Sequence, residues 1–325
     1  MADAALAAAG LAGPGRPQPS GCLWPPVAGT ASLGMRSLVS GPGHRARVIA
    51  AFPAAIYLEL RAPGPEPRVV ALVTPAAVRL PIAVITAPRR LPGRGATPDG
   101  GFQPALAGGT TCFPGLTVGG DAFIGGGVIE TGCIRVRVRR WWDPSPVLAS
   151  LSRPRLERGC AALQALCAGS PRRPGLDVHA GPAVLAACCA AADLTGAAEA
   201  AKALVGLGPG LTPSGDDMLA GLLLALRLLG GATPGGAGAV WLADQLAAAV
   251  TCYARGRTTP VSATLLHCAA HGQGSAEAAS VLRALGGREP AGPAATRLLA
   301  TGHTSGADLA WGLVAGCRAV LALSA

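Results

Sequence analysis

Aromatic side chains make up only 3% of this chain and charged ones 14%, and lysine is nearly absent, with Lys202 the single example. Without rings, the core has to be assembled from Ala, Leu and Val, and small residues favour closely packed helices. The same scarcity argues against a stacking platform for nucleic acid, which combines a concentrated basic face with aromatics. The formal net charge of +10 is almost all arginine and is spread along the chain. It accompanies abundant Ala, Gly and Pro, the mark of a GC-rich coding bias, so it carries little weight as a sign of nucleic acid.

Other absences narrow the class further. The ten cysteines include no C-x-x-C pair, and several lie in alanine-rich stretches where a thiol behaves as a small apolar group. The opening MADAALAAAG has an acid at Asp3 and no basic region, unlike a signal peptide. The apolar run 218–229 is short and carries Arg227, whereas a bilayer span takes about 20 apolar residues. A cytoplasmic, soluble protein with no membrane or nucleic-acid partner is therefore expected. No G-x-S-x-G elbow, phosphate-binding Walker loop or dinucleotide G-x-G-x-x-G after a strand is present.

What is present divides in two. Half of the 325 residues are hydrophobic, ample for two domains or one large one. Residues 1–20 form a low-complexity tail, expected to be disordered. Residues 21–146 read as a β-rich domain: RVIAAF (47–52), AIYLEL (55–60), VVALVT (69–74) and IAVIT (82–86) are short and Val/Ile-rich, separated by Pro and Gly. Residues 88–109 read as a loop and 115–130 as a hairpin or two short strands. In CIRVRVRRWWDP (133–144), Ile134, Val136 and Val138 alternate with Arg135, Arg137 and Arg139, a half-buried strand with a cationic face. That face is either simply solvated or turned toward an anion or partner. Residues 147–325 read as helical, over 147–168, 182–192, 195–205, 214–229, 238–254, 260–271, 275–285, 293–300 and 305–323. Stops are expected at Gly206, Gly230, Gly256, Gly272 and Gly286. The fold class is α+β, an N-terminal β-rich domain followed by a mainly helical one, because helices and strands do not alternate.

Three helix starts resemble one another. Ser214-Gly215-Asp216-Asp217 has a capping-box pattern, with Thr212-Pro213 as an alternative start. Ser305-Gly306-Ala307-Asp308 repeats it, so that Ser214, Gly215, Asp217 and Gly221 match Ser305, Gly306, Asp308 and Gly312. Both helices have a small-residue face, which lets them pack together with their starts side by side. Thr259-Pro260 opens a third helix, with Arg257 just outside it. Helix starts carry unpaired N–H groups and a partial positive charge, suited to phosphate or carboxylate. Hydroxyls of Thr212, Ser214, Thr258, Thr259, Thr304 and Ser305 add donors. The acids Asp216, Asp217 and Asp308 would repel an anion unless capped, protonated or bridged by a cation such as Mg²⁺. Against this stands the plainer reading, that all three starts are ordinary caps. His303, next to Thr304, is the candidate acid–base group. His267 and His271 lie four apart with no accompanying acid, so no metal site is assigned there.

The segments GLGPGLTPSGDD (206–217), RTTPVSATLL (257–266) and GHTSGADLAWGL (302–313) resemble the AllH family, which includes a subunit associated with oxamate carbamoyltransferase in anaerobic allantoin breakdown. The likeness extends more loosely through DAFIGGGVIETGCIRVRVRRWWDP back to SGCLWPPVAGTASLGMRSL (20–38). It implies transfer of a carbamoyl group between carbamoyl phosphate and oxamate; in the catabolic direction, oxalurate and phosphate give oxamate and carbamoyl phosphate. It also implies sister subunits as partners. In that picture His303, Arg257, Asp217 and Asp308 are the catalytic set. Gly210, Thr212, Ser214, Gly215, Asp216, Thr258, Thr259, Ser262, Thr304, Ser305 and Gly306 bind the anions. A non-catalytic structural or regulatory subunit and a Mg²⁺-dependent phosphotransfer enzyme are the alternatives. The S-T-R-T-R run of aspartate and ornithine carbamoyltransferases is missing, so any carbamoyl transfer here uses another scaffold.

Overall fold

The computed structural model describes residues 25–61, 64, 66–86, 113, 116–132 and 134–324. The expected tail 1–20 and nearly all of the 88–109 loop's surroundings, including the loop itself, lie outside these residues. Eight strands are found among them: β1 (Val27–Ser32), β2 (His44–Ala51), β3 (Ala55–Leu60), β4 (Val69–Val73), β5 (Ala83–Thr86), β6 (Asp121–Gly125), β7 (Val128–Thr131) and β8 (Arg135–Trp142). They close into a barrel in the order β1-β5-β4-β3-β2-β6-β7-β8. Closure is made by β1, which pairs antiparallel with β5 and parallel with β8. A short 3₁₀ turn (Leu33–Met35) and helix α1 (Arg36–Ser40) follow β1.

The hairpin read at 115–130 is β6–β7, turning through Gly126 and Gly127, both at positive φ (59° and 75°), as a tight hairpin requires. The alternation read in β8 holds at its start: Val136 is buried while Arg135 and Arg137 are exposed. It holds through Arg139, which is exposed, and breaks at Arg140, which is exposed as well. The register skips there, with Gly29 opposite Val138 but Thr30 opposite Arg140, so Arg139 is the extra residue of a bulge. Arg135 pairs with Glu130 on β7 at 2.8 Å.

The helical part begins after β8 with α2 (Arg153–Ala168), α3 (Ala180–Ala190), α4 (Leu194–Leu204), α5 (Ser214–Ala232) and α6 (Ala237–Ala254). It continues with α7 (Pro260–Ala270), α8 (Ala276–Leu285), α9 (Ala291–Leu299) and α10 (Ser305–Leu323). The first expected helix starts later than 147, at Arg153, with proline in its first turn. Gly206, Gly256 and Gly272 stand in left-handed conformation just past α4, α6 and α7, as C-terminal stops do. Gly230 does not stop α5, which runs on to Ala232. A Cβ at Gly230 would stand 3.1 Å from the Ala239 Cβ, so this glycine lets α6 pack closely instead.

Two hydrophobic cores result, one within the barrel and one among the helices. Helix α7 joins them. Its Val261 and Cys268 belong to the barrel core, against the wholly buried strand β4, while Leu266 and Ala269 belong to the helical one. Thr264 on the same helix donates to Glu66 at 2.7 Å. The barrel therefore holds the body of α7, and so fixes where its first turn points.

Helix α10 is long and apolar enough to cross a membrane, but most of it is buried here, chiefly against α5. Their contact is backbone on backbone. A Cβ at Gly221 would stand 2.2 Å from the Leu309 carbonyl oxygen, and one at Gly312 would stand 2.1 Å from that of Met218. The small-residue faces expected from the sequence do meet.

Candidate functional site

Packing at Gly221 and Gly312 sets the first turns of α5 and α10 side by side. Thr212 and Ser305 are 3.1 Å apart through their hydroxyl oxygens, and Ser214 and Thr304 are 3.4 Å apart. The internal echo in sequence is thus an internal echo in space. A Cβ at Gly215 would stand 2.0 Å from the Leu204 carbonyl oxygen of α4, and one at Gly306 would stand 2.0 Å from that of Leu298 in α9. Each glycine is needed because the preceding helix leaves no room.

The helix-start chemistry differs from the sequence expectation in two ways. Ser214 is not a cap: it is the first helical residue, Pro213 takes the cap position, and no side chain caps the helix. The capping box does not form because Asp217 faces Ser305 and Thr212. Nor are most of the first-turn amides open; only those of Ser214 and Ser305 are left without a partner among the described residues. Those of Gly215, Asp216 and Asp217 donate to the Leu207 and Pro213 carbonyls, and those of Gly306, Ala307 and Asp308 to the Thr301 and Thr304 carbonyls, all within 3.1 Å. What the junction mainly offers a ligand is hydroxyl and carboxyl groups.

The third start is tied to the first by Asp216. This buried carboxylate accepts from the Gly206 N–H (2.8 Å), the Ser262 hydroxyl (2.7 Å) and the Thr258 hydroxyl. Burial raises its pKa and these three donors oppose the rise. Thr259 does cap α7, accepting from the Ser262 N–H at 3.0 Å and donating to the Leu211 carbonyl. Thr258, Ser262 and Asp216 therefore form a latch between α5 and α7. Replacing Asp216 by Ala strands two hydroxyls and an amide, and is expected to lower stability by about 3 kcal/mol in denaturant unfolding. A loss under about 0.5 kcal/mol would refute the latch.

Asp217 and Asp308 are different. Each has one carboxylate oxygen, Oδ2, shut off from solvent without a hydrogen-bond partner. Burial pushes the Asp217 carboxyl up to about 8; the neighbouring Asp308 charge adds to this, while the Ser305 and Thr212 hydroxyls oppose it. Asp308 is fully buried, with its Oδ1 accepting from the Gly175 N–H at 2.7 Å. Its pKa is raised by burial against that N–H and the hydroxyls of Ser214 and Thr304. Two acids, one from each echoed start, thus sit among four hydroxyls with an acceptor oxygen unused on each.

The remaining expected residues lie at the edge. Gly210 faces open space. Arg257 is exposed and lies over the Tyr253 ring, 4.8 Å from its centroid. Its carbonyl oxygen packs where a Cβ at Gly206 would be. His303 is exposed; its carbonyl, not its ring, accepts from Arg172 at 3.0 Å. Among the described residues no three His, Cys, Asp or Glu side chains gather as metal ligands.

The sequence reading passed over the α2–α3 connection. Arg172 also donates to the Gly302 carbonyl at 3.1 Å, and Gly175 lies directly over the hydroxyls. A Cβ at Gly175 would stand 2.2 Å from the Ser214 oxygen. The signal was S-P-R-R-P-G (170–175), a turn-rich run whose paired arginines had no assigned partner.

Residues 204–317 match the family model described as oxamate carbamoyltransferase subunit AllH. This span holds all three helix starts and both unsatisfied acids, and over it the chain is AllH-like. The looser likeness in the strands lies outside the matched residues. No solved structure matches the chain.

Proposed function

We propose that this chain is a subunit of a carbamoyltransferase of the oxamate type, and that the α5–α10 junction binds the reacting amide. The observation that carries this reading is the pair of solvent-shielded, unpartnered carboxylate oxygens on Asp217 and Asp308. Such an oxygen calls for a partner: a donor where the carboxyl is ionised, an acceptor where it holds its proton, as Asp217 largely does at neutral pH. Oxamate, oxalurate and carbamoyl phosphate all carry an N–H donor beside a carbonyl. The surrounding hydroxyls of Thr212, Ser214, Thr304 and Ser305 suit the carbonyl and carboxylate oxygens. Arg257 and His303, at the rim, are assigned to the phosphate. The AllH-like span supports this assignment, and the family description implies further subunits as partners.

In phosphorolysis, a phosphate oxygen attacks the carbamoyl carbon of oxalurate. The bond from that carbon to the oxamate nitrogen breaks, and the nitrogen takes a proton. Asp217, held largely protonated at neutral pH, is the donor; in the synthetic direction it takes the proton back from the attacking amide. Substrate entry requires the 170–175 segment to lift, since Gly175 lies over the hydroxyls.

The test is oxalurate phosphorolysis by the assembled subunits, followed as carbamoyl phosphate formed. Arg257→Ala is expected to raise the phosphate KM about tenfold, and Asp308→Asn to lower kcat about a hundredfold. Unchanged kinetics in both variants, with assembly intact, would leave the non-catalytic reading standing. The capped amides and the solvent-facing Arg257 and His303 are the observations that favour that second reading.

A further inference from the structure

Beside the α10 start lies a pocket of about 240 Å³, between α2, α9, α10 and the 170–175 segment. Its floor is apolar: Leu299, Pro174 and the half-buried Trp311 ring line it. Its polar lining residues include Arg172, Arg318 and Gln164. Among the described residues no carboxylate pairs with either arginine. Ala307, Trp311 and Arg318 recur at helical spacing, so one face of α10 lines this pocket while another carries Asp308 to the junction.

We infer that this pocket is a binding site for a small organic carboxylate with an apolar body. Two arginines without a carboxylate partner among the described residues select an anion, and the donors of Arg172 beyond the Nη1 that holds the Gly302 and His303 carbonyls, with the fork of Arg318, match a carboxylate. The apolar wall and the indole select a carbon skeleton over a bare inorganic ion. The volume limits the occupant to a small molecule. The inference stands on the pocket alone and does not depend on carbamoyl transfer. It has one consequence for the junction. Arg172 lines the pocket and also holds the Gly302 and His303 carbonyls, so an occupant that recruits Arg172 pulls on the segment covering Asp308.

The test uses the full chain and Trp311 fluorescence, with benzoate as probe, benzamide as the neutral control and inorganic phosphate as the charge-only control. Trp311→Phe identifies the signal among the chain's five tryptophans. Benzoate is expected to change Trp311 emission saturably, and Arg318→Gln, on an exposed position, to weaken it about tenfold without lowering the melting temperature. Benzamide and phosphate are expected to bind at least tenfold more weakly. No saturable signal, equal binding of benzamide or of phosphate, or an unaffected Arg318→Gln variant would each overturn the inference. These outcomes are independent of whether the assembled subunits transfer carbamoyl groups.

Discussion

Asp217→Asn is expected to make the protein more stable at pH 8 and, in the assembled subunits, nearly inactive. Both effects come from one cause. The folded carboxyl titrates at about 8 against an ordinary value of 3.8, because burial disfavours its charged form. Between those values the folded state holds a proton that the unfolded state has released. Stability therefore falls as pH rises from about 4 to about 8 and then levels off. Each pKa unit is ~1.4 kcal/mol, and with the side chain only half-buried we expect a total of ~3 kcal/mol. Asparagine has no charge to bury, so the variant's unfolding free energy should lack this slope and exceed that of the parent at pH 8.

In the proposed reaction, the same substitution removes the proton that the leaving oxamate nitrogen takes. A loss of about 10²–10⁴-fold in phosphorolysis is expected. In the parent, phosphorolysis should decline above about pH 8 as the donor ionises. Denaturant unfolding from pH 4 to 9 and the pH–rate profile check the two halves separately. Equal slopes in parent and variant would show that Asp217 is not held protonated by the fold. A rate within a few-fold of the parent would remove it from the chemistry.

The second large effect lies at Gly312. Adding one methyl there places it 2.1 Å from the Met218 carbonyl oxygen and 2.7 Å from the Leu222 nitrogen. Both belong to the backbone of a buried helix, so neither can move aside as a side-chain tip would. Gly312→Ala is expected to cost about 3 kcal/mol and roughly 10 °C in Tm. Gly231→Ala is the control: it lies in α5 with nothing near its added Cβ, and should gain ~0.5–1 kcal/mol from reduced chain entropy. If Gly312→Ala melts like the parent, α5 and α10 do not touch as described, and the junction of their first turns has no support. A stable variant with separated helices would unbury Asp217, removing the main cause of its raised pKa, and would also take the Asp308 charge from its side.

Much of this was legible in the chain itself. The α+β order, nearly every helix and the principal strands follow from apolar periodicity and from where Gly and Pro fall, because these are local effects. The echo of Ser214–Asp217 in Ser305–Asp308, and the glycines four residues past each Asp, announced two helices that pack closely at matched starts. The AllH likeness was likewise carried by short contiguous segments.

Tertiary structure decided the rest. Strand β1 closes the barrel through partners far away in sequence, which alternation within six residues does not encode. Asp216 and Asp217 are chain neighbours, yet α7 supplies hydroxyls to the first and α10 leaves an oxygen of the second bare. Three of the amides read as open at each echoed start are taken by carbonyls of the preceding turns. Burial and the satisfaction of polar groups depend on what arrives from elsewhere in the chain. For that reason residue types and spacing named the candidate residues, while only the packed fold separated a structural aspartate from one with an oxygen to offer.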